Sequence, residues 1–349
     1  MNPLENPYIL RIIFAFLKDT DRDSIYKTCR IFRSNYLWVD PGYSLHQCMA
    51  KNNRKLANEI CDYMTQYIDF VYNHLYNACR QNYLNIVESC LVNCVDPSVE
   101  KNLAIRIASS HGHLSVVERL LADQRVDPSL RNNLAIWLAS EHGHLSVVDR
   151  LLQDPRVDPS ADNNGAIHMA SCSGHLSVVE RLLMDPRVDP SDQNNNAICV
   201  ASSYGHVLVV ERLLADPRVD PSAKNNRAIR SASKHGRLSV VERLLMDSRV
   251  DPSAENNVAI RLASHAGHLP VVERLLMDSR VDPSALSNEA IHWASKNGHL
   301  SVVERLLQDP RVDPSANNNA AIQVAFAEGH LSVAKRLSED PRIWIEKEE

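Results

Sequence analysis

The chain has 349 residues, of which 44% are hydrophobic and 23% charged, and this balance excludes an intrinsically disordered protein. Its formal net charge of -5 at pH 7 argues against a nucleic-acid-binding protein, which needs a clustered basic surface. The longest apolar run near the amino end, residues 12–17, is far shorter than the ~18 residues that span a bilayer, so we expect no membrane segment. The amino end also lacks the pattern of a secretory signal, so we expect an intracellular, cytoplasmic protein.

Residues 1–40 are predicted to be a separate helical module, because the segment 7–38 matches none of the repeats that follow. Its first apolar residues have the 3.6-residue spacing of a helix, and Asp21 and Asp23 are suited to cap a second helix. The segment resembles an F-box. The resemblance is carried by a proline followed by Ile-Leu, by a Phe-Leu pair, and by the closing Trp38, although the usual leucine before the proline and glutamate after it are missing.

An F-box implies docking on a Skp-type adaptor of a cullin ubiquitin ligase. The residues that would then bind the adaptor are Pro7, Ile9, Leu10, Ile13, Phe16, Leu17, Ile25, Phe32 and Trp38. The alternative is that these helices act only as a cap on the apolar end of the repeat array. The two interpretations differ in function, because only the first connects the chain to ubiquitin transfer.

A repeat of 31 residues dominates the remaining sequence. The tripeptide Val-Asp-Pro recurs without a slip of register at Val95, Val126, Val157, Val188, Val219, Val250, Val281 and Val312. We assign residues 72–337 to this array, residues 41–71 to an adapter or degenerate first repeat, and residues 338–349 to a carboxy-terminal cap and tail. A strict period of this length indicates stacked copies of one small structural unit.

Each unit is predicted to be a helix, a turn and a second helix. Asn132 or Asn133 is placed to cap the first helix, and Gly112 suits the left-handed turn that ends it. The second helix has an apolar stripe at helical spacing, and Pro270, two residues after His268, marks its first turn. The prolines that follow an aspartate after this helix, such as Pro155, are expected to end it.

The segment from Ala166 to Leu183 reads Ala-Ile-His-Met-Ala-Ser-Cys-Ser-Gly-His-Leu-Ser-Val-Val-Glu-Arg-Leu-Leu and resembles the ankyrin signature. The period is two residues shorter than the usual 33, and the Thr-Pro pair is absent. The resemblance implies an all-α, ankyrin-like α-solenoid of about nine helix-turn-helix repeats. The Asp-Pro-Arg-Val-Asp-Pro loop is similar to ankyrin repeats expanded in giant viruses of amoebae, which would place the protein in a host cytoplasm.

Ankyrin solenoids imply a non-catalytic scaffold, here expected to be a monomer, that holds a protein target on its concave face. We expect target-binding residues where the copies differ, because a variable position in a repeated frame does not maintain the frame. They are Trp137, Glu141, His142, Tyr204, Arg227, Arg230, Lys234, His235 and Arg261. The residues Arg227, Arg230, Lys234, His235 and Arg261 are predicted to form a basic patch, whereas Trp293 is predicted to be core.

The remaining chemistry-bearing residues favour structural roles. Seven of the 15 histidines share one repeat position where the turn meets the second helix, and Arg237 takes that position in another repeat, so we predict hydrogen bonds to backbone and no metal. The repeated aspartates, such as Asp127 and Asp158, are predicted to brace loops, and the cysteines to be buried apolar residues. No phosphate loop, nucleophile elbow or zinc motif occurs, so we expect neither enzymatic activity nor a cofactor.

Overall fold

The computed structural model describes residues 72–92 and 95–343. Within these ranges the chain is helical and has no β-strand, which confirms the predicted all-α solenoid class. The F-box-like module, the adapter and residues 344–349 lie outside the described residues, so the predictions made for them stay predictions. In the part of the chain that is described, no helix is long and apolar enough to cross a membrane.

Two helices alternate along the array, following a helical stretch at residues 72–80. The first helices of the units are Val99–Ser110, Leu130–Glu141, Ala161–Ser173, Asp192–Tyr204, Ala223–Lys234, Ala254–His265, Ala285–Lys296 and Ala316–Ala327. The second helices are Leu84–Val92, Leu114–Leu121, Leu145–Leu152, Leu176–Leu183, Val207–Leu214, Leu238–Leu245, Leu269–Leu276, Leu300–Leu307 and Leu331–Ser338.

The array divides into two compact units between Asp158 and Pro159. In the unit that ends at Asp158, each first helix packs on its own second helix and on the first helix of the neighbouring repeat. The same pattern runs through the unit that begins at Pro159, where successive second helices are also in contact. Each unit therefore buries its apolar side chains between repeats as well as within them.

The second helices form as the sequence predicts. In Leu269–Leu276 the residues Val272 and Leu275 are fully buried, and Pro270 lies in the first turn, where a missing N–H leaves no intrahelical bond unmade. Leu145–Leu152 ends two residues before the aspartate that precedes Pro155. The helix thus stops slightly ahead of the position that the proline restricts.

The start of each first helix differs from the sequence prediction. Three consecutive residues there have positive φ, as in the turn of Arg131, Asn132 and Asn133, with φ values of 56°, 55° and 59°. Asparagine tolerates this left-handed conformation better than most residues. Asn133 Oδ1 accepts a hydrogen bond of 2.9 Å from the backbone N–H of Asp158. The predicted helix cap at Asn133 is therefore wrong, because its side chain reaches the loop 25 residues further on.

This asparagine bond recurs in seven repeats and connects each of them to the loop that follows. The asparagine is buried in each case. The donor and acceptor residues are Asp127 with Asn102, Asp158 with Asn133, Asp189 with Asn164, Asp220 with Asn195, Asp251 with Asn226, Asp282 with Asn257, and Asp313 with Asn288. In all seven hydrogen bonds, the acceptor asparagine is the third residue of the left-handed turn. The turn is thus a connecting element of the array.

The turn between the two helices is stabilised from the next repeat. Gly112 has a φ of 73°, as predicted for the left-handed turn, and the ring of His144 lies against it. His144 Nε2 donates a hydrogen bond of 3.0 Å to the carbonyl of Ser110, 34 residues earlier. Arg237 Nε makes the equivalent bond of 3.0 Å to the carbonyl of Ser203. The predicted backbone-bonding role of these histidines is confirmed, and the arginine substitutes for it directly.

An aspartate and an arginine form a clamp after each second helix from Leu114–Leu121 to Leu331–Ser338. Arg280 donates from Nε and Nη2 to the two carboxylate oxygens of Asp278, at 2.9 and 2.7 Å. Its Nη1 donates to the carbonyl of Val250 in the preceding repeat, at 2.8 Å. The hydrogen bond from Arg280 is the main cause that lowers the pKa of Asp278. The aspartates with such an arginine partner are Asp123, Asp154, Asp185, Asp216, Asp247, Asp278, Asp309 and Asp340.

These clamps predict that the array loses stability in acid. A carboxyl group whose pKa is lowered by folding adds stability above its ordinary pKa, and this contribution is lost as the pH falls through the lowered value. We therefore expect the urea midpoint to fall as the pH drops below about 4. An Asp278→Asn variant should show a shallower decline than the parent chain. An equal decline in the two proteins would contradict this role of the clamp.

Two further predictions are settled by burial. Trp293 is only half-buried: its ring lies 5.3 Å from that of His265, and the Lys296 ammonium lies 5.3 Å from its centre. The prediction that Trp293 is core is wrong, because its register position is only half-buried in every repeat. The buried thiols of Cys79 and Cys90 fit the apolar role that we predicted.

Candidate functional site

The predicted target-binding residues all lie on first helices or directly after them. Within each compact unit, we call the surface formed by the accessible residues of these positions the first-helix face. In the unit that ends at Asp158, Trp137 and Glu141 are half-buried and His142 is exposed. In the unit that begins at Pro159, Arg230 and Arg261 are half-buried. The exposed predicted residues of that unit are Tyr204, Arg227, Lys234 and His235.

A cavity of about 590 Å³ lies on this face between Ala223–Lys234 and Ala254–His265. We call it the cationic groove. It is lined by Lys224, Asn225, Arg227, Arg230, Ser231, Lys234, Glu255 and Leu262. Three of the five residues predicted to form a basic patch thus share one cavity, whereas His235 and Arg261 are not part of its lining.

Arg230 is held in place by its own repeat and by the next. The left-handed turn at its helix start directs two backbone carbonyls toward it, and Arg230 Nη1 donates to the carbonyls of Lys224 and Asn225, each at 3.2 Å. Arg230 Nη2 lies 3.1 Å from the carboxylate of Glu255. The same carboxylate accepts a bond of 2.6 Å from the Asn225 amide. This network fixes one wall of the groove, and the carboxylate of Glu255 balances the positive charge of Arg230.

Arg261 is also paired. Its Nε donates to Glu289 at 2.7 Å, and its Nη2 contacts the same carboxylate oxygen. The predicted basic patch is therefore smaller than the sequence indicated, because two of its arginines have carboxylate partners. Those partners lie 25 and 28 residues away along the chain and come close only when the repeats stack.

Arg227 extends the polar surface toward the preceding repeats. Its Nη1 donates to Asn196 Oδ1 at 3.4 Å, and the Asn196 amide donates to His168 Nε2 at 2.9 Å. Burial lowers the pKa of His168, and the charge of Arg227 lowers it further. His168 is therefore held in its neutral form at pH 7, and it serves here as a hydrogen-bond acceptor.

The groove contains one cation that sequence reasoning missed. Lys224 occupies the first position of a left-handed turn and lines the groove with Arg227 and Lys234. Its register position is filled by Glu, Arg, Asp, Gln, Leu and Asn in other repeats, and this variation was the available signal. Within the described ranges, Lys224, Arg227 and Lys234 form no ion pair with a carboxylate, so the groove retains a positive charge.

The described residues contain no assembly suited to metal binding, since no group of three or more His, Cys, Asp or Glu could hold an ion there. Burial raises the pKa of Cys79 to about 12 and that of Cys90 to about 11, so both thiols are protonated and poorly nucleophilic at pH 7. What the first-helix face offers is a set of varied side chains on a stacked helical frame, together with a charged groove. Such an arrangement is suited to noncovalent binding.

These features define a helical-repeat scaffold with its variable surface on one helix of each repeat. A family model described as Ankyrin repeats (3 copies) matches residues 105–194, 167–256 and 259–347. The chain therefore belongs to the ankyrin-repeat family, whose repeats mediate binding between proteins. A comparison with curated proteins gave no match.

Proposed function

We propose that the protein is a non-catalytic scaffold that binds a protein target through the first-helix face. Its membership of the ankyrin-repeat family is the observation that carries this proposal. The same face carries the variable residues, including the exposed aromatic ring of Tyr204. Aromatic and arginine side chains contribute most to many protein interfaces, and this face has both.

Two substitutions, one on a first helix and one directly after a second helix, test the proposal. Tyr204 is 56% exposed on the first-helix face, and Met277 is 75% exposed directly after a second helix. We expect Tyr204→Glu to weaken capture of the target from a cell lysate about tenfold or more, and Met277→Glu to leave it unchanged. Target abundance in the captured fraction, measured by quantitative mass spectrometry, is the readout. Equal capture by both variants, or loss only with Met277→Glu, would contradict the proposal.

The finer proposal is that the scaffold recruits its target to a cullin ubiquitin ligase. It is supported by the F-box-like pattern of residues 7–38, which lies outside the described residues. The alternative, a plain or sequestering scaffold whose amino-terminal helices only cap the array, needs no ligase. We also propose a giant-virus origin for the protein. This origin is supported by the similarity of its Asp-Pro-Arg-Val-Asp-Pro loop to loops in giant-virus ankyrin repeats.

The full chain should then co-purify with a Skp-type adaptor. Charged substitutions at two apolar positions, Leu10→Asp and Ile13→Asp, are expected to abolish the association, whereas Lys18→Ala should retain it. Copurification is measured with a tagged adaptor. If the adaptor does not bind the parent chain, or binds the Leu10→Asp and Ile13→Asp variants equally well, the ligase proposal is contradicted. The amino-terminal helices would then act only as a cap on the array.

A further inference from the structure

We propose that the cationic groove binds an extended protein segment rich in aspartate and glutamate. This inference rests on the proposed function and specifies the chemistry of the partner. It concerns the groove between Ala223–Lys234 and Ala254–His265, which lies within the unit that begins at Pro159.

Charge is the first argument. The groove lining contains four cationic side chains and one carboxylate, that of Glu255, although the whole chain has a formal net charge of -5. Glu255 is already paired with Arg230. The remaining cations of the groove, Lys224, Arg227 and Lys234, have no carboxylate partner among the described residues. An acidic segment would supply the missing partners.

Fixed geometry is the second argument. Arg230 is held by two carbonyls and by Glu255, so the wall of the groove needs little ordering when a ligand arrives. Asn225 and Ser231 provide polar groups beside the cations, and Leu262 provides an apolar contact. A volume of about 590 Å³ accommodates a few side chains of a peptide.

The lining also distinguishes a peptide from a nucleic acid. Proteins that hold single strands combine cations with aromatic side chains on which the bases stack. The groove is lined without any aromatic residue. The lining therefore favours the carboxylates of an acidic protein segment over a single-stranded nucleic acid.

Binding of fluorescein-labelled octaglutamate, measured by fluorescence anisotropy, tests the inference on the full chain. We expect the peptide to bind and its Kd to rise about tenfold or more in each of the variants R227E and K234E. The affinity should also fall as salt is added. The control is K335E, because Lys335 is exposed on the second helix Leu331–Ser338 and makes the same change of charge away from the groove. This variant should bind like the parent chain.

Circular dichroism checks that the variants are folded, which we expect because all three side chains are exposed. The inference is overturned if octaglutamate does not bind the parent chain, if R227E and K234E bind it equally well, or if an eight-residue oligothymidylate binds more tightly than octaglutamate. The proposed function is tested separately. If Tyr204→Glu still weakens target capture while octaglutamate does not bind, the scaffold function stands and only the proposal of an acidic ligand is overturned.

Discussion

An Asn257→Ala variant is expected to lower the free energy of unfolding by about 2–4 kcal/mol. The side chain of Asn257 is buried, and its Oδ1 accepts a bond of 2.8 Å from the backbone N–H of Asp282 in the next loop. Alanine would leave that donor without its partner, at a cost of about 1–3 kcal/mol. It would also hold a φ of 60°, which alanine adopts less readily than asparagine. Urea denaturation followed by circular dichroism measures the change.

Asn256→Ala is the matched control for this effect. Asn256 belongs to the same left-handed turn, with a φ of 56°, but its side chain is exposed. The control variant shares the conformational cost and keeps the bond to Asp282, so we expect a loss of only about 1 kcal/mol. If the two variants were equally stable, the asparagine bond would contribute nothing to the coupling of neighbouring repeats.

A Gly298→Ala variant is expected to lose about 2–4 kcal/mol, because two costs coincide. Gly298 has a φ of 73°, where an L-residue is strained by about 1–2 kcal/mol. An added Cβ would also lie 2.6 Å from His330 Nδ1 in the next repeat, too close for the ring to remain in place. The midpoint of urea denaturation should fall accordingly.

Gly329→Ala separates these two costs. Gly329 has a φ of 77°, and a Cβ built there meets no atom within 4 Å, so only the backbone strain applies. We expect this variant to lose about 1–2 kcal/mol. Adding His330→Ala to Gly298→Ala should destabilise less than the sum of the two single changes, because it removes the clash. Strict additivity would show that the ring does not pack against the glycine.

Much of the fold could be predicted from the sequence because each repeated residue repeats one environment. The strict register placed Gly112 in the turn, and a histidine at the same position in most repeats indicated a structural role. The left-handed turn could not be predicted in this way, because asparagine is favoured both at helix caps and at positive φ. The bond from Asp158 to Asn133 was missed for a related reason, since its partners lie 25 residues apart.

The candidate site was predicted in part. Variation between copies identified Arg227, Arg230 and Lys234, which share the cationic groove. It could not show that Glu255 balances the charge of Arg230. Variation indicates that a position tolerates different side chains, but it does not identify the residue of the next repeat that contacts it. Trp293 was misassigned because leucine and valine at its register position suggested burial, whereas that position is only half-buried in the stack.

Site-specific cross-linking to the captured target tests most directly whether the first-helix face is the binding surface. A photoreactive amino acid is placed at Tyr204 in one protein and at Met277 in another, since both side chains are exposed, one at the end of a first helix and the other directly after a second helix. We predict that the target cross-links from position 204 and not from position 277. Cross-links formed only from position 277 would contradict the account.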